Sequence, residues 1–434
     1  MSPDAGSSPL RISRRSVALA AFSTIVEWYD FTLYLYFATV LARVFFGGGE
    51  MSLVATLGGF AVTYLFHPLG AMVFGQFGDR FGRRPMMIRT MLMTSAAMLL
   101  TALLPTYAQA GPAAGVALLA LRCMMGFSVG GEYSGAQAYL LEGSKPERRG
   151  LITSCASAAS EIGSLLAVGV SALTVYSLSA GDLDTWGWRV PFFVGAALAF
   201  VVWILRTVME ESPEFLARQL TGTLPTQPLR TTLAYHRAGI ARSFAISALG
   251  SITYYVGITY VPVFLSTTGS LSERTSLILS TAAALVVILV TPLVGALSDR
   301  FGRRPVLMAL CVLSVILPMT MFASMAAGSM MQALMAVVAL AAVAGGVSAV
   351  GAVATAEQFP VEARLSGLAL GATAATAVFG GLTPVLAQVS IESTGWAMMP
   401  GVMIAIVALC VLPVFARLPE TAPCVKASGP RPGG

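Results

Sequence analysis

Residues 75–87 read GQFGDRFGRRPMM, and residues 295–307 read GALSDRFGRRPVL. The heptapeptide Asp79-Arg80-Phe81-Gly82-Arg83-Arg84-Pro85 recurs unchanged as Asp299 to Pro305, half the chain away. An identical run of that length at that offset marks an internal repeat. Each copy lies between two long apolar runs, so each reads as a short, strongly basic turn between membrane helices. A single copy would read equally well as a surface charge run that sets topology. Two copies point to a chain built of two homologous membrane halves.

Composition agrees. Hydrophobic residues make up 56% of the chain and charged residues 11%, with a mean hydropathy of +0.79. A soluble protein carries about 25% charge, so this is an integral membrane protein. Apolar windows of about 20 residues mark twelve spans near 17–46, 51–77, 86–108, 113–141, 150–178, 189–208, 241–268, 275–297, 305–327, 330–356, 365–391 and 396–417. The expected organisation is a tail (1–16), a six-helix half (17–208), a linker (209–240), a second six-helix half (241–418) and a disordered tail (419–434).

The net charge of +6 is not spread evenly. Arginines fill Arg11, Arg14 and Arg15, the two repeated turns, Arg148 and Arg149, and the linker, whereas the intervening loops carry Glu50, Asp182, Asp184, Glu273 and Glu392. By the positive-inside rule both termini are expected in the cytoplasm, and the basic excess sets topology against the lipid bilayer rather than implying nucleic acid. Ser13-Arg14-Arg15-Ser16-Val17 resembles a twin-arginine signal. Glu27 and Asp30 interrupt the apolar run behind it, so it reads as the uncleaved first span. The five cysteines are scattered, with spacing that supports neither a disulfide framework nor a metal site.

Polar residues inside the spans are the candidates for function. Glu27 and Asp30 share a helix face about 15–20 Å deep at about 1.5 Å per residue. Acids at that depth face a polar cavity or a partner, or satisfy one another. His67, before Pro68-Leu69-Gly70, is either held by a backbone carbonyl or free to bind. Arg122 lies in an apolar run where insertion costs about 2.5–3.5 kcal/mol, which implies an anionic partner or a wet cavity. Behind it, Gly126-Phe127-Ser128-Val129-Gly130-Gly131-Glu132 carries glycines spaced for close helix approach. Its G-x-S-x-G pattern lacks the strand-turn-helix setting of a nucleophile elbow, and no enzyme site is expected. Glu161 lies near mid-depth in the fifth span. The second half offers aromatic and hydroxyl groups instead, chiefly Tyr254, Tyr255 and Tyr260.

The twelve spans, paired basic turns and central linker resemble a major facilitator superfamily transporter. Glu27-Trp28-Tyr29-Asp30-Phe31, Gly126–Glu132, Trp188-Arg189-Val190-Pro191-Phe192, Glu211-Ser212-Pro213 and Phe379-Gly380-Gly381 resemble, more narrowly, its metabolite:proton symporter family. That family carries citrate, tricarballylate, 2-oxoglutarate, shikimate, betaine and proline. His67 departs from it, since the family usually places arginine before this Pro-Leu-Gly. Helix eleven looks most like the citrate and tricarballylate carriers, and helix seven (Ile252-Thr253-Tyr254-Tyr255) like the betaine and proline carriers. The long coiled-coil tail of the osmosensing betaine carriers has no counterpart here, so osmosensing is not expected.

The resemblance implies an all-α fold of twelve transmembrane helices and a central cavity lined by helices 1, 4, 7 and 10. It also implies alternating access in a bacterial inner membrane. The expected activity is proton symport of a small mono-, di- or tricarboxylate. The alternatives are symport of a zwitterion such as proline or betaine, and proton-driven efflux of amphipathic compounds. Arg122 is the expected carboxylate-binding cation, because a guanidinium fork matches a carboxylate, with Tyr254, Tyr255, Tyr29 and His67 completing the substrate site. Glu27, Asp30, Glu132 and Glu161 are the proton-coupling candidates, since carboxylates in a low-dielectric cavity resist ionisation. Four acids against one arginine suit a monocarboxylate or zwitterion better than a tricarboxylate.

In that superfamily the repeated turn latches the halves. Carried onto this chain, Asp79 caps the next half's helix end or pairs with an arginine, and Gly75 permits close packing. Arg80, Arg83, Arg84, Asp299, Arg300 and Arg303 complete the gating set. No cofactor is expected, the proton gradient supplying the drive, and the expected state is a monomer.

Overall fold

The structure, a computed structural model, describes residues 14–49, 51–81, 83–142, 146–208, 211, 228–269, 271–327, 329–360 and 363–422. Among the described residues the regular structure is all helical. The first half comprises α1 (Arg14–Tyr36, continued by Ala38–Phe46), α2 (Ser52–Phe81), α3 (Arg83–Leu103), α4 (Pro112–Glu142), α5 (Arg149–Ser177) and α6 (Arg189–Thr207). The second comprises α7 (Arg237–Tyr254, continued by Tyr255–Thr259 and Val261–Thr267), α8 (Glu273–Phe301), α9 (Arg303–Ala326), α10 (Met330–Ala356), α11 (Arg364–Leu368, continued to Thr383–Thr394) and α12 (Met399–Ala416). Among the described residues, 10 helices are long and apolar enough to cross a membrane alone, and the bent α7 makes the count 11. With α1 these are the twelve spans expected.

Local chemistry explains the breaks. In α7 the ladder widens to a π-turn over Tyr255–Thr259 and bends by 41° before Val261–Thr267. Pro262 stands at the start of that last segment, where its missing N–H costs no helical bond. α8 begins at Ser272, whose hydroxyl accepts the Thr275 N–H at 3.2 Å, a standard N-cap.

The repeated turn is shorter than expected. Phe301 ends α8 and Arg303 begins α9, so Gly302 alone makes the turn in the second copy. Its φ of +102° lies in the region that favours glycine. The rest of the heptapeptide is helical because the polar ends of α8 and α9 carry it into the two helices.

The tail also departs from expectation. Glu420 accepts the N–H groups of Arg303 at 2.8 Å and Arg304 at 3.0 Å, and Leu418 and Ala422 are buried. The chain therefore stays packed through Ala422. Free amides at the start of α9 attract a carboxylate. The first half repeats the device: Glu211 accepts the Arg84 N–H at 3.2 Å, and the Arg84 guanidinium donates to the Thr207 carbonyl. The linker is partly helical over Pro228–Tyr235, and α7 begins at Arg237 rather than near 241.

The halves meet where α5 packs along α8 and α2 along α11. A Cβ on Gly150 would lie 2.7 Å from the Gly295 carbonyl oxygen, so the α5–α8 crossing needs both glycines. Within the first half, Cβ atoms on Gly126 and Gly130 would overlap the carbonyls of Thr63 and His67. α4 is therefore pressed against α2, the packing role read from the sequence. Gly126→Val is expected to cost about 1–3 kcal/mol by overpacking, measured as a lower unfolding temperature in detergent.

Candidate transport site

A cavity of about 140 Å³ lies between the halves. Its wall is built from side chains that recur at helical spacing. α1 contributes Thr24, Glu27, Trp28 and Phe31; α5 contributes Thr153, Ser157, Ser160 and Glu161. α7 gives Ser247, Gly250, Ser251 and Tyr254, then Tyr255; α10 gives Ser348, Gly351, Ala352 and Thr355. Positions three and four apart share one helix face, so each span turns one polar or small-residue stripe inward. α2 adds Tyr64 and His67, and α11 adds Thr373 and Thr376. Thr153 lies in the first turns of α5, and Thr355 in the last turn of α10. The cavity therefore reaches toward the end that carries the repeated turns.

The wall differs from the expected set of helices 1, 4, 7 and 10. Residues of α2, α5 and α11 join it, and α4 contributes Gly130, with its side chains from Gly131 onward outside the described residues.

Aromatic rings cluster at the inner end of the cavity. The Trp28 ring stands edge-on to Tyr254 with centroids 5.2 Å apart and lies near-parallel to Tyr255 at 6.5 Å. The Tyr64 and Tyr255 hydroxyls meet at 2.5 Å, joining α2 to α7. The Tyr254 hydroxyl donates to Glu161 Oε2 at 3.0 Å and lies 3.0 Å from Ser164 Oγ, joining α7 to α5. His67 lines the wall against Phe31 and Tyr64, and its buried Nε2 has no hydrogen-bond partner.

Arg122 is elsewhere. Its two terminal nitrogens grip Asp30 as a fork, both at 3.0 Å, with relative exposures of 1% and 0%. The guanidinium also covers the Tyr34 ring at 5.0 Å. Neither Arg122 nor Asp30 lines the cavity. The expected substrate cation and an expected proton carrier thus pair with each other. The Tyr29 hydroxyl donates to the Pro191 carbonyl at 2.7 Å, and Tyr29 is not among the residues of the wall. Glu27, Glu161, His67, Tyr254 and Tyr255 are the expected residues that the structure brings together.

Each end of the cavity is bridged. At the end carrying the repeated turns, the Asp299 oxygens accept the N–H groups of Gly150 and Leu151, both at 2.9 Å. This carboxylate of the second half thus caps α5 of the first, the task expected of Asp79. Arg303 holds Asp299 at 2.8 Å and reaches Glu357 at 3.4 Å. Arg300 lies outside this cluster, over the Phe301 ring, and the Arg84 guanidinium bonds the Thr207 carbonyl of its own half. The side chains of Asp79, Arg80, Arg83 and Glu132, and the surroundings of Gly75, lie outside the described residues. At the opposite end Arg43 bonds Asp184 at 3.2 Å and, across the halves, Glu273 at 2.8 Å. Arg274 reaches the Val175 carbonyl at 3.3 Å.

Sequence reasoning gave no role to Trp28, Tyr64 or Arg43. The signal for Trp28 was present: Thr24, Glu27, Trp28 and Phe31 follow the i, i+3, i+4, i+7 pattern of one face. Tyr64 and Arg43 carried no comparable pattern, because their roles arise from partners in the other half.

Two six-helix membrane halves that enclose a cavity lined by acids, hydroxyls and aromatic rings, bridged at both ends, have the architecture of a transporter. Residues 16–223 match the family model described as "Sugar (and other) transporter", and residues 245–433 match "Major Facilitator Superfamily". The chain is 33% identical to a citrate-proton symporter of Salmonella typhi, over 91% of each protein. It is 31% identical to a proline/betaine transporter of Salmonella typhimurium, over 94% of this chain and 84% of that one. The alpha-ketoglutarate permease of Escherichia coli is 31% identical over 87% of each. In fold, the chain matches the xylose transporter of E. coli in a partially occluded inward-open conformation, with a TM-score of 0.73 and 21% identity over 94% of this chain and 98% of that one. The chain belongs to the major facilitator superfamily, within its metabolite:proton symporters.

Proposed function

We propose that this protein takes up a small zwitterion, a cationic ammonium joined to one carboxylate as in betaine or proline, together with protons. One observation carries the choice of cargo. Glu27, Glu161 and the rings of Trp28, Tyr64, Tyr254 and Tyr255 line the cavity, and among the described residues no lysine or arginine does. Aromatic faces and carboxylates attract a cation, by about 0.5–2 kcal/mol per ring contact. A tricarboxylate would meet two acids and no compensating cation. The proline/betaine relatives support this reading.

A second reading, symport of a carboxylate, is supported by the citrate-proton symporter at 33% identity. It requires the acids of the wall to be protonated before the anion enters. On either reading the chain is a transporter and not an enzyme. It works in a bacterial inner membrane with both termini cytoplasmic, as a monomer without a cofactor, driven by the proton gradient. The repeated turns then face the cytoplasm.

Binding to the purified protein distinguishes the cargoes. Glycine betaine is expected to quench tryptophan fluorescence, and Trp28→Ala to weaken that binding by about 2–30-fold. Binding of citrate but not betaine would favour the carboxylate reading.

A further inference from the structure

We infer that Glu161 carries the coupled proton, with Tyr254 as the positioning residue whose hydroxyl ties the ionised carboxylate of α5 to α7 of the other half. The inference rests on the proton-coupled reading above. Of the expected acids, Asp30 is held by both arms of Arg122 in a dry pair, and protonating it would leave a buried guanidinium uncompensated. Glu161 is different. It is 4% exposed, lines the cavity, and meets a donor of the opposite half. The Tyr254 hydroxyl also meets Ser164 Oγ at 3.0 Å, which in turn meets Thr32 Oγ1 at 3.0 Å. One carboxylate is therefore linked through a short chain of hydroxyls to α7, to its own helix and to α1.

The link responds to the proton. A hydrogen bond to an ionised carboxylate is roughly twice as strong as one between neutral groups. Loading a proton onto Glu161 loosens the contact between α5 and α7. It also removes a negative charge from the cavity wall. Proton load thereby biases whether the halves stay together at this level, which is the requirement for a two-state coupling element.

No lysine or arginine faces Glu161 among the described residues of the wall. α1 brings Glu27 to the cavity and Tyr36 close to Glu161. α2 brings Tyr64 and His67, and α7 brings Tyr254 and Tyr255. α8 and α10 bring no titratable side chain to the wall among the described residues. The side chain of Glu132 on α4 lies outside them.

The test uses the whole purified protein without substrate, so it does not depend on the cargo. Trp28 lies against Tyr254, and its fluorescence, defined by difference from Trp28→Phe, is followed against pH. A single titration is expected in the parent protein and is absent in Glu161→Gln. Glu161→Asp keeps a titration, which separates loss of the proton site from loss of folding. Tyr254→Phe removes a donor that favours the ionised form, so the midpoint is expected to move alkaline by about one pH unit. A titration that survives in Glu161→Gln, or an unmoved midpoint in Tyr254→Phe, overturns the inference. Failure of betaine to bind would overturn the cargo reading alone.

Discussion

Arg122→Leu is expected to leave the protein badly destabilised. Asp30 would remain as a buried, unpaired carboxylate in contact with no solvent, and removing one partner of such a pair costs about 3–5 kcal/mol. The expected observation is a sharp loss of monodisperse protein in detergent and a lower unfolding temperature. Adding Asp30→Leu is expected to restore most of that stability, because a buried pair replaced whole by apolar groups is often neutral. Arg122→Lys keeps the charge and loses the fork. It should lower stability while leaving the substrate KM within about twofold, since Arg122 does not line the cavity. The twofold bound sits well inside the factor of 10 that 1.4 kcal/mol would give. A selective rise in KM with normal stability would return Arg122 to the role of anion clamp.

Asp299→Ala is expected to have the second largest effect. It removes two bonds to free amides of α5 and leaves Arg303 without its nearest acid. An anion at a helix N-terminus contributes up to about 2 kcal/mol when partly buried, and about 1.4 kcal/mol of that already shifts a two-state balance by about tenfold. The contact between α5 and α8 should open at the end carrying the repeated turns. In a cysteine-depleted background, labelling of Ser157→Cys on the cavity wall should then rise about tenfold. Turnover should fall more than affinity. Equal losses in both, with unchanged labelling, would mean that the carboxylate only stabilises a helix end.

The helical architecture was legible from the repeat, the hydropathy and the loop charges, because a membrane span must satisfy its own backbone and be apolar along its length. What those signals do not encode is which charges meet. Arg122 was recognised as needing an anionic partner or a wet cavity, and the structure supplies the partner, Asp30, 92 positions away. Asp79 of the first copy was expected to cap a helix end of the other half or to pair with an arginine, and its side chain lies outside the described residues, while the second copy caps α5 through Asp299. Identical heptapeptides cannot show which one faces a free helix end. The cavity wall was half legible. Glu161, Tyr254 and His67 stood out as polar groups in apolar runs, while the serines and threonines around them are ordinary in membrane helices, where they bond their own backbone.

Gradient-driven accumulation in proteoliposomes tests the central claim most directly. Labelled glycine betaine, proline and citrate are offered with and without an imposed pH gradient, acid outside. Accumulation of a zwitterion above its equilibrium level only when the gradient is present is the predicted result. Accumulation of citrate alone would contradict the cargo, and zwitterion uptake indifferent to the gradient would contradict proton coupling.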